Sequence, residues 1–357
     1  MRAHRLLPLA VAAVLLGATA CGSSDSEDNR DDNVGESPEN SSENGSEFDS
    51  DAFPLTLEHA LGETTIESRP ERVATVNWAN HEVPLALGVV PVGMAAANFG
   101  DDDGDGVLPW VSERLTELDA ETPVLFDETD GIDFEAVADT EPDVILAAYS
   151  GLTQQDYDTL SEIAPVVAYP DAAWATPWRE IVRLNSEAIG LGAEGEELIT
   201  GIEGDIEAVV ADYPQLEGKS AMFMTHVDPN DVSEVGFYTT HDTRTLFFED
   251  LGLTTPESIA TASADTDQFA LTRSAEQIDL FDDVDIITGY GDETGELLET
   301  LENDPLLSRI PAVERGSVFL LPGSTPLATA ANPTPLSISW VLEDYVAALA
   351  EAADQVR

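Results

Sequence analysis

The chain has 357 residues, 43% of them hydrophobic, so it is long enough for two domains with full apolar cores. Its charge is far from balanced: 71 Asp and Glu against 14 Lys and Arg give a formal net charge of −57. Such a surface repels nucleic acid and anionic lipid head groups, which excludes a nucleic-acid partner. The charge predicts adaptation to high salt, where screening removes self-repulsion; an acidic surface kept for solubility alone is the alternative.

The first twenty residues have the pattern of a leader that is removed. Two arginines precede an apolar run over residues 6–18, which is too short to span a membrane comfortably. The run ends in small residues before Cys21, the only cysteine, and this resembles the lipobox of bacterial lipoproteins, in which the cysteine is acylated. We therefore expect a lipoprotein signal peptide over residues 1–20, lipidation of Cys21 and no disulfides. An ordinary secretory leader cut near Ala20 is the alternative.

The remainder is predicted to be a tether followed by two α/β lobes joined by one helix. Residues 21–54 are acidic and polar with almost nothing apolar, which predicts a disordered tether. Between residues 196 and 213, apolar side chains recur at three- and four-residue spacing, which predicts a helix about 27 Å long. We expect an N-terminal α/β lobe over residues 55–192, a connecting helix over 193–216 and a C-terminal α/β lobe over 217–357.

Strands alternate with helices in both predicted lobes. In the first lobe we expect strands over residues 72–77, 89–95, 122–126, 144–149 and 165–169, and helices over 108–119, 133–140 and 153–164. In the second we expect strands over 220–227, 236–240, 285–290 and 318–322, helices over 244–251 and 336–356, and a helix opened by a capping box of Ser274 and Gln277. Near-continuous apolar strands predict a parallel or mostly parallel sheet, and ligands bind such sheets beyond the carboxyl ends of the strands.

Five blocks of sequence carry a resemblance to a known family. They are PERV at 70–73, LALGVVPVG at 85–93, IDFEAV and EPDVIL within 132–146, YDTLSEIAP at 157–165, and DPL, IPAV and GSVF within 304–319. In this order and spacing they resemble ferric-siderophore substrate-binding lipoproteins of ABC importers, over roughly residues 55–357. The resemblance implies two Rossmann-like α/β lobes joined by one long helix, the class III periplasmic-binding-protein architecture, with the ligand in the cleft.

The resemblance also implies a function. It suggests a monomeric receptor, lipid-anchored on the extracytoplasmic face of the cell membrane, that captures a ferric siderophore and delivers it to an ABC permease with its ATPase. Acidic residues on each lobe would dock the permease, with Glu82 and Glu249 as candidates. A haem or cobalamin receptor of the same fold is the alternative, with His81, Tyr149 or Tyr290 as an iron ligand. A structural or sensory lipoprotein would reuse the fold without transport. No enzyme motif occurs, so we expect neither catalysis nor a cofactor.

A ferric chelate needs aromatic walls and a few groups that bind its chelating oxygens. The candidate ligand-binding residues are Trp78, Phe99, Tyr149, Trp174, Trp178, Arg179, Tyr238, Arg244 and Tyr290. Trp174 and Trp178 are expected to be exposed, although core packing is the alternative for every aromatic residue. Arg244 could instead pair with Asp242. Ferric hydroxamates are neutral or cationic, and therefore suit this acidic chain better than strongly anionic catecholate chelates.

Direct metal binding by the protein is not expected. Residues 101–106 (DDDGDG) fit the start of a calcium loop, but Ser112 occupies the twelfth position, where a bidentate glutamate is required. A solvated acidic loop is the better interpretation. The folded region has four scattered histidines, His59, His81, His226 and His241. We therefore expect iron to be held by the siderophore alone.

Overall fold

The computed structural model describes residues 52–292 and 294–356. The predicted signal peptide, Cys21 and nearly all of the predicted tether lie outside these residues. Within them the chain forms two lobes, each built around a five-stranded sheet. None of the helices in this described part is both long and apolar enough to cross a membrane.

The first lobe contains a parallel sheet, as predicted. Its strands are β3 (Val73–Thr75), β4 (Gly93–Ala95), β5 (Val124–Phe126), β6 (Val144–Leu146) and β7 (Val166–Val167). They lie in the order β5-β4-β3-β6-β7, with every neighbouring pair parallel. The helices are α1 (Glu82–Ala86), α2 (Pro109–Glu117), α3 (Phe134–Asp139), α4 (Gln154–Ser161) and α5 (Trp178–Ala188). An antiparallel hairpin that the sequence reasoning missed, β1 (Leu55–His59) and β2 (Gly62–Ile66), precedes the sheet.

The long helix predicted between the sheets is present as α6 (Gly192–Val210). It begins earlier and ends sooner than the apolar spacing indicated, because a separate 3₁₀ turn, Pro214–Leu216, follows Tyr213. Its buried positions are Gly195, Ile199, Ile202 and Ile206, and it packs against α5 and the C-terminal helix. The acidic side chains face solvent, as its amphipathic pattern requires.

The second lobe differs from the first because its sheet is mixed. Its strands are β8 (Ala221–Met224), β9 (Glu234–Tyr238), β10 (Ala270–Ser274), β11 (Ile286–Tyr290) and β12 (Val318–Leu321), in the order β10-β9-β8-β11-β12. β11 is parallel to both β8 and β12, whereas β9 is antiparallel to β8 and β10. The helices are α7 (Thr243–Asp250), α8 (Glu257–Ser263), α9 (Glu296–Asn303), α10 (Pro311–Glu314), α11 (Pro326–Ala330) and α12 (Pro335–Ala353).

The predicted capping box at Ser274 and Gln277 is wrong. The segment Ala275–Phe281 is a 3₁₀ helix with non-helical backbone angles at Gln277, and Ser274 accepts instead from the backbone N–H of Glu276. A kink at Gln277 prevents its side chain from completing the box.

The C-terminal helix α12 joins the two lobes. It contacts α1 and α2 of the first lobe, α6, and β11 and β12 of the second. Glu82 of α1 is 1% exposed; its carboxylate accepts from the backbone N–H of Leu336 at 2.9 Å and from the indole N–H of Trp110 at 2.7 Å. The suggestion that Glu82 docks a permease is therefore wrong, because its carboxylate is buried at the start of α12.

Candidate ligand-binding site

A cavity of about 300 Å³ lies between the two lobes. Its lining is aromatic and polar, and consists of Trp78, Phe99, Tyr149, Trp174, His226, Asp242, Arg244, Phe269, Tyr290, Thr329 and Asn332. Trp78 and Tyr149 come shortly after β3 and β6, which are neighbours in the first sheet. His226 follows β8 and Tyr290 ends β11, which are neighbours in the second. The cavity therefore lies where open α/β sheets bind ligands.

A sharp turn after β3 places Trp78 at the cavity. Asn77 and Ala79 have φ angles of 58° and 61°, a left-handed conformation that is costly for residues other than glycine. The backbone N–H and side-chain amide of Asn77 donate to the Glu128 carboxylate over 2.9 to 3.1 Å. Its Oδ1 accepts from the backbone N–H of Gly151 at 3.0 Å. Polar contacts to two neighbouring loops thus hold the strained turn.

Tyr149 and Trp174 form a second aromatic part of the lining. Their rings meet edge to face, with centroids 5.4 Å apart. Trp174 has a φ of 60°, and its backbone N–H donates to the carbonyl of Ser150 at 3.0 Å. A Cβ at Gly151 would lie 2.3 Å from Nε1 of Trp174, so only glycine fits beneath this indole. The Tyr149 hydroxyl accepts from the amide of Asn332 at 3.4 Å, which links the two lobes across the cavity.

The second lobe contributes an ion pair. Asp242 caps α7; its side chain accepts from the backbone N–H of Arg244 at 2.9 Å and from Nη1 at 2.7 and 2.9 Å. Nε of Arg244 donates to the Tyr290 hydroxyl at 2.8 Å, and the guanidinium lies 4.3 Å from the ring centroid of Tyr238. Burial opposes the charged form of Arg244, but Asp242 and then Tyr290 outweigh it, so the pKa of Arg244 is raised well above its ordinary value.

His226, Tyr290 and Phe99 form an aromatic group beside this pair. The imidazole of His226 stacks on the Tyr290 ring at 4.2 Å, and the Phe99 ring is nearly perpendicular to both. Partial burial and then the positive charge of Arg244 lower the pKa of His226, so the imidazole is neutral at pH 7. Because Asp242 balances Arg244, the lining carries no net formal charge. A largely aromatic cavity with no net charge and a few hydrogen-bonding groups suits a bulky neutral ligand.

The structure brings six of the nine candidate residues together on this cavity: Trp78, Phe99, Tyr149, Trp174, Arg244 and Tyr290. Tyr238 is buried behind them and contacts Arg244. Arg244 pairs with Asp242 and also lines the cavity, so the ion pair does not remove it from the candidates for ligand binding.

Trp178 and Arg179 do not belong to the cavity lining. The expectation that Trp178 is exposed is wrong: it is 3% exposed, and its Nε1 donates to Asp250 at 3.0 Å. Arg179 pairs with Glu203 at 2.7 Å and with Asp250 at 2.9 Å. Trp178 therefore connects α5 to α7, and Arg179 connects α5 to both α6 and α7.

Sequence reasoning missed His226, Phe269, Thr329 and Asn332, and weighed Asp242 only as a partner of Arg244. His226 comes two residues after β8, so the strand-end rule that selected Trp78 and Tyr149 could have found it. Phe269, which is 42% exposed, lies just before β10, and the other two come from α11 and the loop after it. No local pattern marks those three positions.

The acidic loop over residues 101–106 is separate from this cavity. The carboxylates of Asp101, Asp103 and Asp105 offer oxygen atoms within 4.8 Å of one another. Both oxygens of Asp101 accept backbone N–H groups of the same loop, from Gly104 and Gly106 at 2.8 Å. These bonds account for the loop conformation without an ion.

Comparison with known proteins places the fold in a family. Residues 73–325 match the sequence profile of the periplasmic binding proteins. The structure of PiaA from Streptococcus pneumoniae in complex with ferrichrome has a TM-score of 0.81 and 43% identity, over 85% of this chain and 99% of that one. A periplasmic solute binding protein from Mycobacterium smegmatis has a TM-score of 0.67 and 27% identity, over 84% and 98%.

A curated relative agrees with this assignment. The probable siderophore-binding lipoprotein YfiY of Bacillus subtilis is 25% identical over 280 residues, which are 78% of this chain and 76% of YfiY. The profile match spans well over half of the chain, and it includes both sheets and the helix between them. This chain therefore belongs to the periplasmic binding protein family.

Proposed function

We propose that this protein is an extracytoplasmic solute-binding lipoprotein that captures a ferric siderophore of the hydroxamate type. The observation that carries the proposal is the cavity between the lobes. Aromatic rings form much of its lining, and the charges of Asp242 and Arg244 in that lining cancel each other. A ferric trihydroxamate is bulky, rigid and neutral or cationic, and it matches such a lining better than an anionic catecholate chelate does. The similarity to PiaA, a protein crystallised with ferrichrome, supports the same ligand class.

Within this proposal the aromatic residues and the polar groups have different roles. Trp78, Trp174 and Phe99 pack against the faces of the chelate. Tyr149 and Arg244 donate hydrogen bonds to its chelating oxygens, since Arg244 keeps a guanidinium edge beyond its bonds to Asp242. Iron is carried as cargo, held by the siderophore oxygens, and the protein needs no cofactor of its own.

The other parts of the chain are consistent with a protein that delivers its ligand to a membrane transporter. We propose that Cys21 is acylated, that residues 21–54 tether the lobes to the outer face of the cell membrane, and that an ABC permease with its ATPase receives the ligand. The two lobes would span residues 55–192 and 217–357, and the connecting helix would span residues 193–216. Glu249 is exposed and remains a candidate for docking the permease. The protein would act as a monomer and catalyse no reaction.

Quenching of tryptophan fluorescence tests the proposal, because a ferric complex quenches indoles beside it. We would titrate residues 52–357 in high salt with ferrichrome, a ferric catecholate, haem and cobalamin. Saturable quenching by ferrichrome at submicromolar concentration is expected, with an affinity at least tenfold weaker in Trp78→Ala. Trp340→Phe is the matched control, since Trp340 lies on α12 outside the cavity lining. Saturation by haem or cobalamin alone, or by none of the four, would overturn the proposal.

A further inference from the structure

A second cavity, of about 360 Å³, lies beside the first on the side of the N-terminal lobe. The two cavities share Trp78 and Trp174 in their linings. The second one is completed by residues such as Asn98, Glu128, Ile132 and Asp156. A ligand held in the first cavity against these two indoles could therefore extend into the second without leaving contact with the protein.

The two cavities differ in charge. The first carries a balanced pair, Asp242 and Arg244. In the second, the lining contains two carboxylates, Glu128 and Asp156, and among the described residues that form it there is no Arg, Lys or His. An uncompensated negative lining beside a neutral one favours a ligand with a neutral body and a cationic extension.

Glu128 is held in place at this cavity. It is half-buried, and its carboxylate accepts from two donors of Asn77, the backbone N–H, which is shared between both oxygens, and the side-chain amide. Burial raises the pKa of Glu128, and the bonds from Asn77 only partly offset this. A bound cation would replace the solvation that the carboxylate has lost. An ionised carboxylate has about four acceptor sites, so these two donors leave acceptor capacity for a ligand.

The aromatic part of the lining suits the same kind of group. Indole rings attract cations through their electron-rich faces, and ammonium groups are commonly held between aromatic rings and carboxylates. Trp78 and Trp174 are both partly exposed at this cavity, and the carboxylates of Glu128 and Asp156 belong to the same lining. The combination is selective for an alkylammonium group over a neutral amide of the same size.

We propose that the second cavity is a subsite for a protonated amine arm carried by the ferric hydroxamate. The inference rests on the proposed function, because the chelate in the first cavity brings the arm to the second. Under this proposal, the ligands of this protein include linear hydroxamates that carry a free amine as well as compact neutral hydroxamates.

The test compares two ligands that differ only in this charge. Ferrioxamine B has a pendant ammonium, and N-acetyl ferrioxamine B has the same chelate with a neutral amide. The affinities of residues 52–357 for both, and for ferrichrome, would be measured by fluorescence quenching in one buffer. We expect the ammonium form to bind about tenfold more tightly. The ratio should fall towards one in Glu128→Gln and in Asp156→Asn, and stay high in Asp127→Asn, which removes an exposed charge outside the lining.

The readout is the ratio of the affinities of one variant for the two ferrioxamines. A substitution that weakens both affinities equally therefore leaves this ratio unchanged. Equal affinity of the wild type for the two ferrioxamines would overturn the subsite, while binding of ferrichrome in the same experiment would leave the proposed function intact. A tenfold ratio that survives both carboxylate substitutions would also overturn the subsite. If neither ferrichrome nor either ferrioxamine binds, the proposed function fails, and the subsite fails with it.

Discussion

The two sides of the cleft are held by different interactions. On the N-terminal side, amide side chains set the positions of the cavity residues: Asn77 fixes the turn of Trp78, and Asn80 bonds to the backbone of Tyr149. On the C-terminal side, a buried ion pair positions Arg244 against Tyr290. The bonds that Asn80 makes to the backbone of Val76 and Tyr149 are directional and join neutral groups, whereas a buried pair is stable only while both charges are present. The position of Tyr149 should therefore depend on hydrogen-bond geometry, and that of Arg244 on charge.

Removing one charge on the C-terminal side should have the largest effect. Asp242 is 1% exposed, and Asp242→Asn leaves the Arg244 guanidinium without its counterion. We expect the free energy of unfolding to fall by about 3–5 kcal/mol. Urea unfolding at constant high salt measures it. The control is Glu203→Gln, which breaks a more exposed pair with Arg179 and should cost less than about 1 kcal/mol. Similar losses in both variants would contradict a special role for the buried pair.

Breaking the amide network on the N-terminal side should cost somewhat less. Asn80 is fully buried; it donates to the carbonyls of Val76 and Tyr149 at 2.8 and 2.9 Å, and accepts from the Tyr149 N–H at 3.0 Å. Asn80→Ala leaves these groups unpaired, and we expect a loss of about 3 kcal/mol. Asn230→Ala, at an exposed asparagine, should change stability by less than about 0.5 kcal/mol. A loss for Asn80→Ala no larger than this control would show that the network does not hold Tyr149.

Acid should reveal that the N-terminal side does not tolerate a charge on His81, which is buried. His81 is buried, its Nδ1 has no hydrogen-bond partner among the residues that the structure describes, and burial lowers its pKa from 6.5 to about 4. Between these values the unfolded chain binds a proton that the folded chain does not, so the free energy of unfolding falls as the pH falls. Between pH 7 and pH 5 we expect the wild type to lose about 2 kcal/mol more than His81→Gln. Equal losses, from urea unfolding at both pH values, would refute this.

The smallest expected effect concerns ligand affinity. Gly151→Ala would place a Cβ 2.3 Å from Nε1 of Trp174 and displace the indole from the cavity. We expect ferrichrome to bind about tenfold more weakly, equivalent to about 1.4 kcal/mol. Gly201→Ala on α6 has open space around the added methyl group; it should leave the affinity unchanged and stabilise the helix by up to about 1 kcal/mol. An unchanged affinity in Gly151→Ala would show that the position of Trp174 is not needed.

Residues beside strand ends were the ones that sequence reasoning could place. Trp78, Tyr149 and Tyr290 each follow or end a strand that the apolar pattern predicts, and the ends of neighbouring parallel strands meet at one edge of a sheet. Trp178 shows the limit of this reasoning. Its local sequence matches that of an exposed residue in a loop leading into a helix, but the indole is buried and donates to Asp250 of α7. Nothing within a few residues of Trp178 in the sequence indicates that its side chain is buried.

By itself, the sequence determined the alternation of strands and helices, the parallel first sheet and the long helix between the lobes, because these depend on the local spacing of apolar residues. The tertiary structure alone decided the antiparallel strands β9 and β10 and the presence of Phe269 and Asn332 in the cavity lining. It also decided the contact of Glu82 with the start of α12. These features join segments that are far apart in the chain, and such pairings depend on which surfaces remain to be buried once the local elements have formed.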